Sequence, residues 1–165
     1  MKLNNFYKLV IAIMVSEMTG IIGSVFTISA IPNWYAGLVK PVLNLPSWVF
    51  GPAWTMLYAL MGVSLFLVWK QHPYILENLR MLRLWKLAIT LFFTQLALNT
   101  LWSIIFFGLH SPGSALIEIV FLWLAILATI ISFAKISKPA AWLLVPYILW
   151  VSFAMYLNYA IWMLN

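Results

Sequence analysis

The segment Leu87–Leu109, LAITLFFTQLALNTLWSIIFFGL, decides the fold class of this chain. It is long enough to cross a bilayer as a helix, because a crossing takes about 20 apolar residues. Four more apolar runs of this kind are separated by charge, proline or glycine. They cover residues 9–31, 48–69, 114–134 and 141–164. Pro52 is expected in the first turn of the second span, and Pro146 is expected to bend the fifth helix rather than end it. The sequence therefore predicts an all-α membrane protein, with residues 1–165 forming one bundle of five transmembrane helices.

The composition excludes several classes of protein. The 165 residues are 65% hydrophobic and only 7% charged, which is unlike a soluble domain. The chain has no cysteine, and its acids are three glutamates without any aspartate. We therefore expect no disulfide, cysteine nucleophile or Ser-His-Asp triad. His72 and His110 fall in loops on opposite sides of the membrane, so they cannot share a metal ion.

The basic residues distinguish the two faces of the membrane. One face has only Lys40, so the net charge of +6 reflects topology rather than nucleic-acid binding. By the positive-inside rule we expect a cytoplasmic N-terminus and an external C-terminus. A bacterial or archaeal cytoplasmic membrane is the expected location for helical spans. The basic residues of the cytoplasmic face are Lys2, Lys8, Lys70, Arg80, Arg83, Lys86, Lys135 and Lys138.

Polar side chains within the spans are candidates for a site, because they are costly in a bilayer. Gln95, Asn99 and Trp102 are spaced i, i+4 and i+7, so they share one face of the third span. That face either binds a ligand or hydrogen-bonds a neighbouring helix, and the spacing allows both interpretations. Glu17 and Glu118 lie too far apart in depth to form a carboxylate pair, and their roles stay open.

The tryptophans fall into two groups by depth. Several fit the aromatic belt that membrane proteins have at the lipid headgroups. The others lie about two turns or more inside a span. If these deep indoles face inward, they line a cavity for a flat, apolar ligand; otherwise they contact lipid or fill the core. The deep indoles are Trp54, Trp102, Trp123 and Trp150.

Two further helix faces carry small residues. In the fifth span Trp150, Ala154 and Leu157 follow at i, i+4 and i+7, which leaves a notch at Ala154 for a ligand or a helix. In the first span a stripe of small residues predicts the close approach of another helix. The stripe consists of Gly20, Gly23, Ser24 and Thr27.

Long ordered motifs continue along nearly the whole chain. They include WYAGLVKP at 34–41, PSWVFGPAWT at 46–55 and QLALN at 95–99. In these motifs the chain resembles the translocator protein family, whose bacterial members are called tryptophan-rich sensory proteins. The resemblance implies a five-helix bundle, commonly a homodimer, with a pocket that the first loop closes. Leu45 departs from the family pattern, which usually has two prolines before the first-loop tryptophan.

The resemblance also implies ligands and site residues. Family members bind porphyrins such as protoporphyrin IX and synthetic isoquinoline carboxamides, and some bacterial members are reported to degrade protoporphyrin in light. No obligatory cofactor is implied, since the tetrapyrrole is a ligand. Trp54 and Trp150 resemble the pair implicated in that photochemistry, so they are the hypothetical catalytic residues. The implied ligand-binding residues are Tyr35, Trp48, Trp54, Asn99, Trp102, Trp150, Ala154 and Leu157.

Three functions are compatible with these observations. The first is a membrane receptor or sensor that binds porphyrin, with light-dependent degradation as a hypothetical activity. The second is a transporter of porphyrin or lipid, although five spans contain no inverted repeat of equal halves. The third is a structural or partner-binding subunit whose aromatic residues fill the core.

Overall fold

The computed structural model describes residues 4–75 and 78–165, without the side chains of residues 73 and 74. Lys2, which contributes to the predicted topology, lies outside the described residues. Five helical segments are long and apolar enough to cross a membrane, which confirms the predicted all-α, five-span fold. The segments are Asn5–Asn33, Ser47–Trp69, Leu79–Gly108, Pro112–Ala134 and Lys138–Leu164.

Short turns at the ends divide these segments into individual helices. A 3₁₀ turn, Ser47–Val49, precedes the second helix, and a π-helical turn, Ile104–Gly108, ends the third span. The α-helices in the described part of the chain are α1 (Asn5–Asn33), α2 (Phe50–Trp69), α3 (His72–Ile75), α4 (Leu79–Ser103), α5 (Pro112–Ala134), α6 (Lys138–Leu143) and α7 (Val145–Leu164).

The helix of the third span begins before the apolar run from which it was predicted. Helix α4 begins at Leu79 rather than Leu87, because charged residues interrupt an apolar run without interrupting a helix. Asn78 caps this helix: its side-chain oxygen accepts hydrogen bonds from the backbone N–H groups of Arg80 at 3.0 Å and Met81 at 3.1 Å. Such a cap satisfies donors that have no partner in the first turn.

The fifth span corrects the prediction for Pro146. The sequence favoured a single helix bent at this proline, whereas α6 ends at Leu143 and α7 begins at Val145. Pro146 lies in the first turn of α7, where its missing N–H needs no partner. Pro52 also lies in the first turn of its helix, as the third residue of α2, as predicted.

The packing leaves one half of the bundle for a site. Helix α1 packs against α2 and α4, and α5 packs against α4 and α7. A core cluster that includes Val68, Phe92 and Phe133 lies in the half near the basic loops. There the rings of Phe92 and Phe133 stack with centroids 5.8 Å apart. The cavity described below lies in the other half, beside the first loop, which is the segment 34–46 between the first and second spans.

Candidate functional site

A cavity of about 490 Å³ lies between α1, α2, the end of the third span and α7. This volume falls within the range of about 300–1,000 Å³ that is usual for small-molecule sites. The exposed Trp48 lines the cavity at the first loop. Glu17, Tyr58 and Trp150 are the lining residues of their helices farthest from that loop, so they form the cavity floor.

The structure brings together seven of the eight residues predicted to bind a ligand. Asn99 is the exception, because it lies behind the floor and does not line the cavity. Ligand binding by these residues stays a prediction. The seven lining residues are Tyr35, Trp48, Trp54, Trp102, Trp150, Ala154 and Leu157.

Trp54 and Trp150 meet at one side of the cavity. Their rings are edge to face, with centroids 6.5 Å apart and an interplanar angle of 85°. Trp54 also stacks on Tyr58 at 5.4 Å, and Phe50 packs edge-on against Trp150 at 6.0 Å. Aromatic neighbours at these distances hold the rings in a defined orientation. The two indoles therefore present a continuous aromatic wall to the cavity.

Asn99 joins three helices beneath the cavity floor. Its side-chain oxygen accepts a hydrogen bond from the Tyr58 hydroxyl, and its amide nitrogen donates to the Tyr147 hydroxyl at 3.1 Å. The residue is only 2% exposed. Of the two roles that the sequence left open, the structure shows the hydrogen bond between helices. Asn99 therefore contacts Tyr58, which lines the cavity, but does not line the cavity itself.

Two other predicted polar or aromatic residues lie away from the cavity. The indole of Trp123 donates to the Ser152 hydroxyl at 2.9 Å, which ties α5 to α7. Gln95 is buried, and its amide nitrogen makes only a long contact of 3.8 Å with the sulfur of Met61. Of the alternatives open for a deep indole, Trp123 packs against the core rather than lining the cavity, because depth in the membrane does not determine which way a side chain faces.

Glu17 and Glu118 occupy different environments. Glu17 lines the cavity floor, whereas Glu118 is buried between helices and does not line the cavity. Neither oxygen of the Glu118 carboxyl has a hydrogen-bond partner among the described residues. Glu17 also makes no ion pair or hydrogen bond within the described part of the chain. A substitution of Glu118 can therefore serve as the control for the same substitution of Glu17, because only Glu17 lines the cavity.

Asn158 is a further lining residue, which is not among the residues predicted from the sequence to bind a ligand. Its side-chain oxygen accepts a hydrogen bond from the Trp102 indole at 3.0 Å, and its amide donates to the Pro112 carbonyl at 2.7 Å. These bonds fix the indole and join α7 to the neighbouring spans. The i, i+4 spacing from Ala154 to Asn158 is the signal that would have placed it on the cavity face.

The π-helical turn at the end of the third span shapes the loop side of the cavity. The backbone N–H of Leu109 reaches the carbonyl of Ile104 at 2.8 Å, which is a bond across five residues. Phe106 lies within this turn and stacks on Trp102 at 5.1 Å. Phe106 also packs edge-on against Trp34 at 5.5 Å. Single π-helical turns of this kind often occur at functional sites.

Tyr35 anchors the first loop over the cavity. Its side chain is 7% exposed, and its hydroxyl donates to the Asn44 side-chain oxygen at 3.1 Å. Burial raises the pKa of the Tyr35 hydroxyl above its usual value, which keeps this donor protonated. The amino group of Lys40 lies 4.9 Å from the centre of the Tyr35 ring, a cation–π distance. The loop is therefore ordered by its own side chains.

The end of α7 also holds the first loop. Asn165 accepts a hydrogen bond from the backbone N–H of Val39 at 3.0 Å and donates to the Val39 carbonyl at 3.1 Å. The Asn165 amide further contacts the Ile161 carbonyl at 2.8 Å. This pair of reciprocal bonds closes the loop against the helix that carries Trp150 and Ala154.

The small residues of α1 form the opposite wall. A Cβ atom at Gly20 would lie 2.3 Å from the Tyr58 ring, and one at Gly23 would lie 3.1 Å from the Ser103 hydroxyl. The predicted close helix approach is therefore confirmed. The same residues also line the cavity, whereas the sequence predicted only helix packing for them.

Five spanning helices around an aromatic cavity that a loop covers define a multi-pass integral membrane protein with an internal site of small-molecule size. The model of the TspO/MBR family matches residues 11–163, and the chain belongs to this family. The resemblance found in the sequence is thereby confirmed.

Relatives from distant organisms cover most of the chain. It is 42% identical to the tryptophan-rich protein TspO of Archaeoglobus fulgidus over 161 residues, 98% of this chain and 99% of that one. It is 39% identical to the translocator protein of Homo sapiens over 141 residues, 86% of this chain and 80% of that one. Identity to the tryptophan-rich sensory protein of Cereibacter sphaeroides is 37% over 133 residues, 81% of this chain and 77% of that one.

Proposed function

We propose that this protein is a membrane receptor or sensor that binds protoporphyrin IX and related flat aromatic ligands, including isoquinoline carboxamides. The observation that carries the proposal is the cavity of about 490 Å³, which four indole rings and the small side chain of Ala154 line together. Aromatic walls stack on flat π-systems, and a small residue leaves room for the ring. Membership of a family with relatives named as sensory and translocator proteins supports the same function.

The test is a dark titration of the purified protein with protoporphyrin IX, followed by tryptophan fluorescence. We expect saturable quenching, and Ala154→Phe should weaken binding at least about tenfold, because a phenyl ring fills the notch. The matched control is Ile117→Phe, which adds the same ring on an exposed surface of α5 and should leave binding unchanged. Linear quenching that is indifferent to Ala154→Phe would contradict the proposal and indicate partition into detergent.

Light-dependent degradation of the porphyrin is a second proposed activity. It is supported by the contact between Trp54 and Trp150, which both line the cavity. An excited porphyrin can exchange an electron with a nearby indole, so this chemistry needs no general acid or base. We expect new absorption bands under illumination, and their loss when both residues are phenylalanine. Unchanged turnover in that double variant would refute the role of the indoles.

Two other functions, a transporter and a structural or partner-binding subunit, would each be favoured by a different experimental result. Protein-dependent flux of porphyrin into reconstituted vesicles would support a transporter. The absence of any saturable aromatic ligand would support a structural or partner-binding subunit. The proposed receptor also forms a homodimer, which the mass of the detergent-solubilised particle tests.

We propose the orientation with a cytoplasmic N-terminus in a bacterial or archaeal cytoplasmic membrane. The distribution of basic residues supports this orientation, with Lys40 at the end of the bundle opposite the other described basic residues. The natural absence of cysteine allows a clean test. An impermeant maleimide added to intact cells should label Val42→Cys but not Leu79→Cys, and the reverse result would invert the orientation. Both residues are exposed.

A further inference from the structure

The floor of the cavity carries a carboxyl group that the proposed function does not use. Among the described residues that line the cavity, Glu17 is the one with a side chain that can be charged near neutral pH. The other lining residues are apolar, aromatic or uncharged polar. A single carboxylate in such a cavity favours a ligand with a positive group at the floor over one with a negative group there.

Glu17 shares the floor with aromatic rings. Gly20, one turn further along α1, is the residue at which the Tyr58 ring meets this helix. Tyr58 stacks on Trp54 at 5.4 Å. The carboxyl group therefore lies on the wall where the edge of this ring pair meets α1, and no basic side chain of a described lining residue accompanies it there.

The polar groups around Glu17 leave its acceptor capacity free. The Tyr58 hydroxyl already donates to Asn99, and Glu17 has no ion pair or hydrogen bond with any described residue. Glu17 is partly exposed, so a ligand in the cavity can reach its carboxylate, and a cationic partner offsets the cost of a charge within a membrane-spanning helix. By contrast, an anionic group at the floor would meet a like charge with no basic residue among the described lining residues.

We propose that the floor is a subsite for a protonated amine, held by the Glu17 carboxylate. The proposal rests on the proposed function, because the aromatic part of the same ligand would occupy the indole-lined part of the cavity. The preferred ligands are thus flat aromatic molecules with a cationic nitrogen at one end. A dicarboxylate such as protoporphyrin IX binds with its acidic edge directed away from Glu17.

The test uses two fluorescent probes of nearly the same size and shape, pyrenemethylamine and pyrenemethanol. The first is a cation at neutral pH, and the second is uncharged. We expect wild-type protein in neutral detergent to bind the amine at least about tenfold more tightly than the alcohol, measured by energy transfer from tryptophan to pyrene. Equal affinity of the two probes for the wild type would overturn the proposal without any variant.

Two matched variants locate the effect. Glu17→Gln keeps the shape of the side chain and removes its charge, so it should abolish the preference for the amine while pyrenemethanol still binds saturably. Glu118→Gln removes the other described glutamate, which lies outside the cavity, and should retain the preference. A preference that survives Glu17→Gln, or that is lost in Glu118→Gln, would overturn the assignment.

The outcomes separate this proposal from the proposed function. Saturable binding of pyrenemethanol and protoporphyrin IX without a preference for the amine would overturn the subsite alone. Failure of every aromatic probe to saturate the protein would overturn both. Retained pyrenemethanol binding in Glu17→Gln also shows that this variant is folded, so loss of amine preference cannot come from misfolding.

Discussion

Replacing Asn99 with leucine tests the hydrogen bonds beneath the cavity floor. Leucine has a similar size but cannot accept from Tyr58 or donate to Tyr147, so both bonds between helices are lost. Interhelical hydrogen bonds in membranes contribute about 0.6 kcal/mol on average and up to about 1.7 kcal/mol. The change also leaves two buried hydroxyl groups without these partners, which adds to the cost. We therefore expect the free energy of unfolding to fall by about 1–3 kcal/mol.

The control for this change is Gln95→Met on the same helix. Gln95 is also a buried amide, but its oxygen has no partner and its nitrogen makes only a 3.8 Å contact with sulfur. Replacing a poorly bonded amide with an apolar side chain of similar shape is nearly neutral or stabilising. Both variants should be compared by reversible unfolding with sodium dodecyl sulfate in neutral-detergent micelles, followed by circular dichroism.

Asn99 and Gln95 are both buried amides, but only Asn99 is well hydrogen-bonded. If Gln95→Met is as destabilising as Asn99→Leu, burial of an amide rather than its bonds determines stability, and the reasoning is wrong. Tyr58→Phe provides a second check, because it removes one of the same bonds. Its effect and that of Asn99→Leu should be less than additive in the double variant.

Two more predictions concern the walls and the loop of the cavity. Gly20→Ala should destabilise the protein by about 1–3 kcal/mol, because its Cβ would lie 2.3 Å from the Tyr58 ring. Gly51→Ala, where no atom lies within 4 Å, should leave the same SDS unfolding midpoint unchanged or raise it. Asn165→Ala removes both bonds to Val39, so the first loop should open more readily and protoporphyrin IX should dissociate several-fold faster in stopped-flow measurements. An unchanged dissociation rate would show that these bonds do not hold the loop closed.

The five spans are predictable because hydropathy and length are strong constraints in a bilayer. The helix ends are less predictable, since they depend on local capping. Asn78 lies in a polar loop and extends α4 well beyond the apolar run. Pro146 has an apolar sequence on both sides, so hydropathy does not distinguish a proline in the first turn of α7 from one that bends a continuous helix.

The candidate site was only partly predictable for a related reason. Position along a span fixes depth but does not fix direction, so Trp54 and Trp123 are equivalent in the sequence although only Trp54 lines the cavity. The family motifs supplied the direction for most of the predicted residues. Asn99 shows the remaining difficulty, because an inward-facing amide can contact a ligand or another side chain. Here it contacts Tyr58 and Tyr147.

The contact between Trp54 and Trp150 determines how their proposed photochemistry should be tested. Both indoles line the cavity, and their ring centroids are 6.5 Å apart, so a bound porphyrin would have two electron donors on one wall. Each single replacement by phenylalanine leaves the other donor in place. We therefore expect partial turnover in each single variant and none in the double variant. If one single variant is as inactive as the double variant, that indole alone is the donor and the other only positions it.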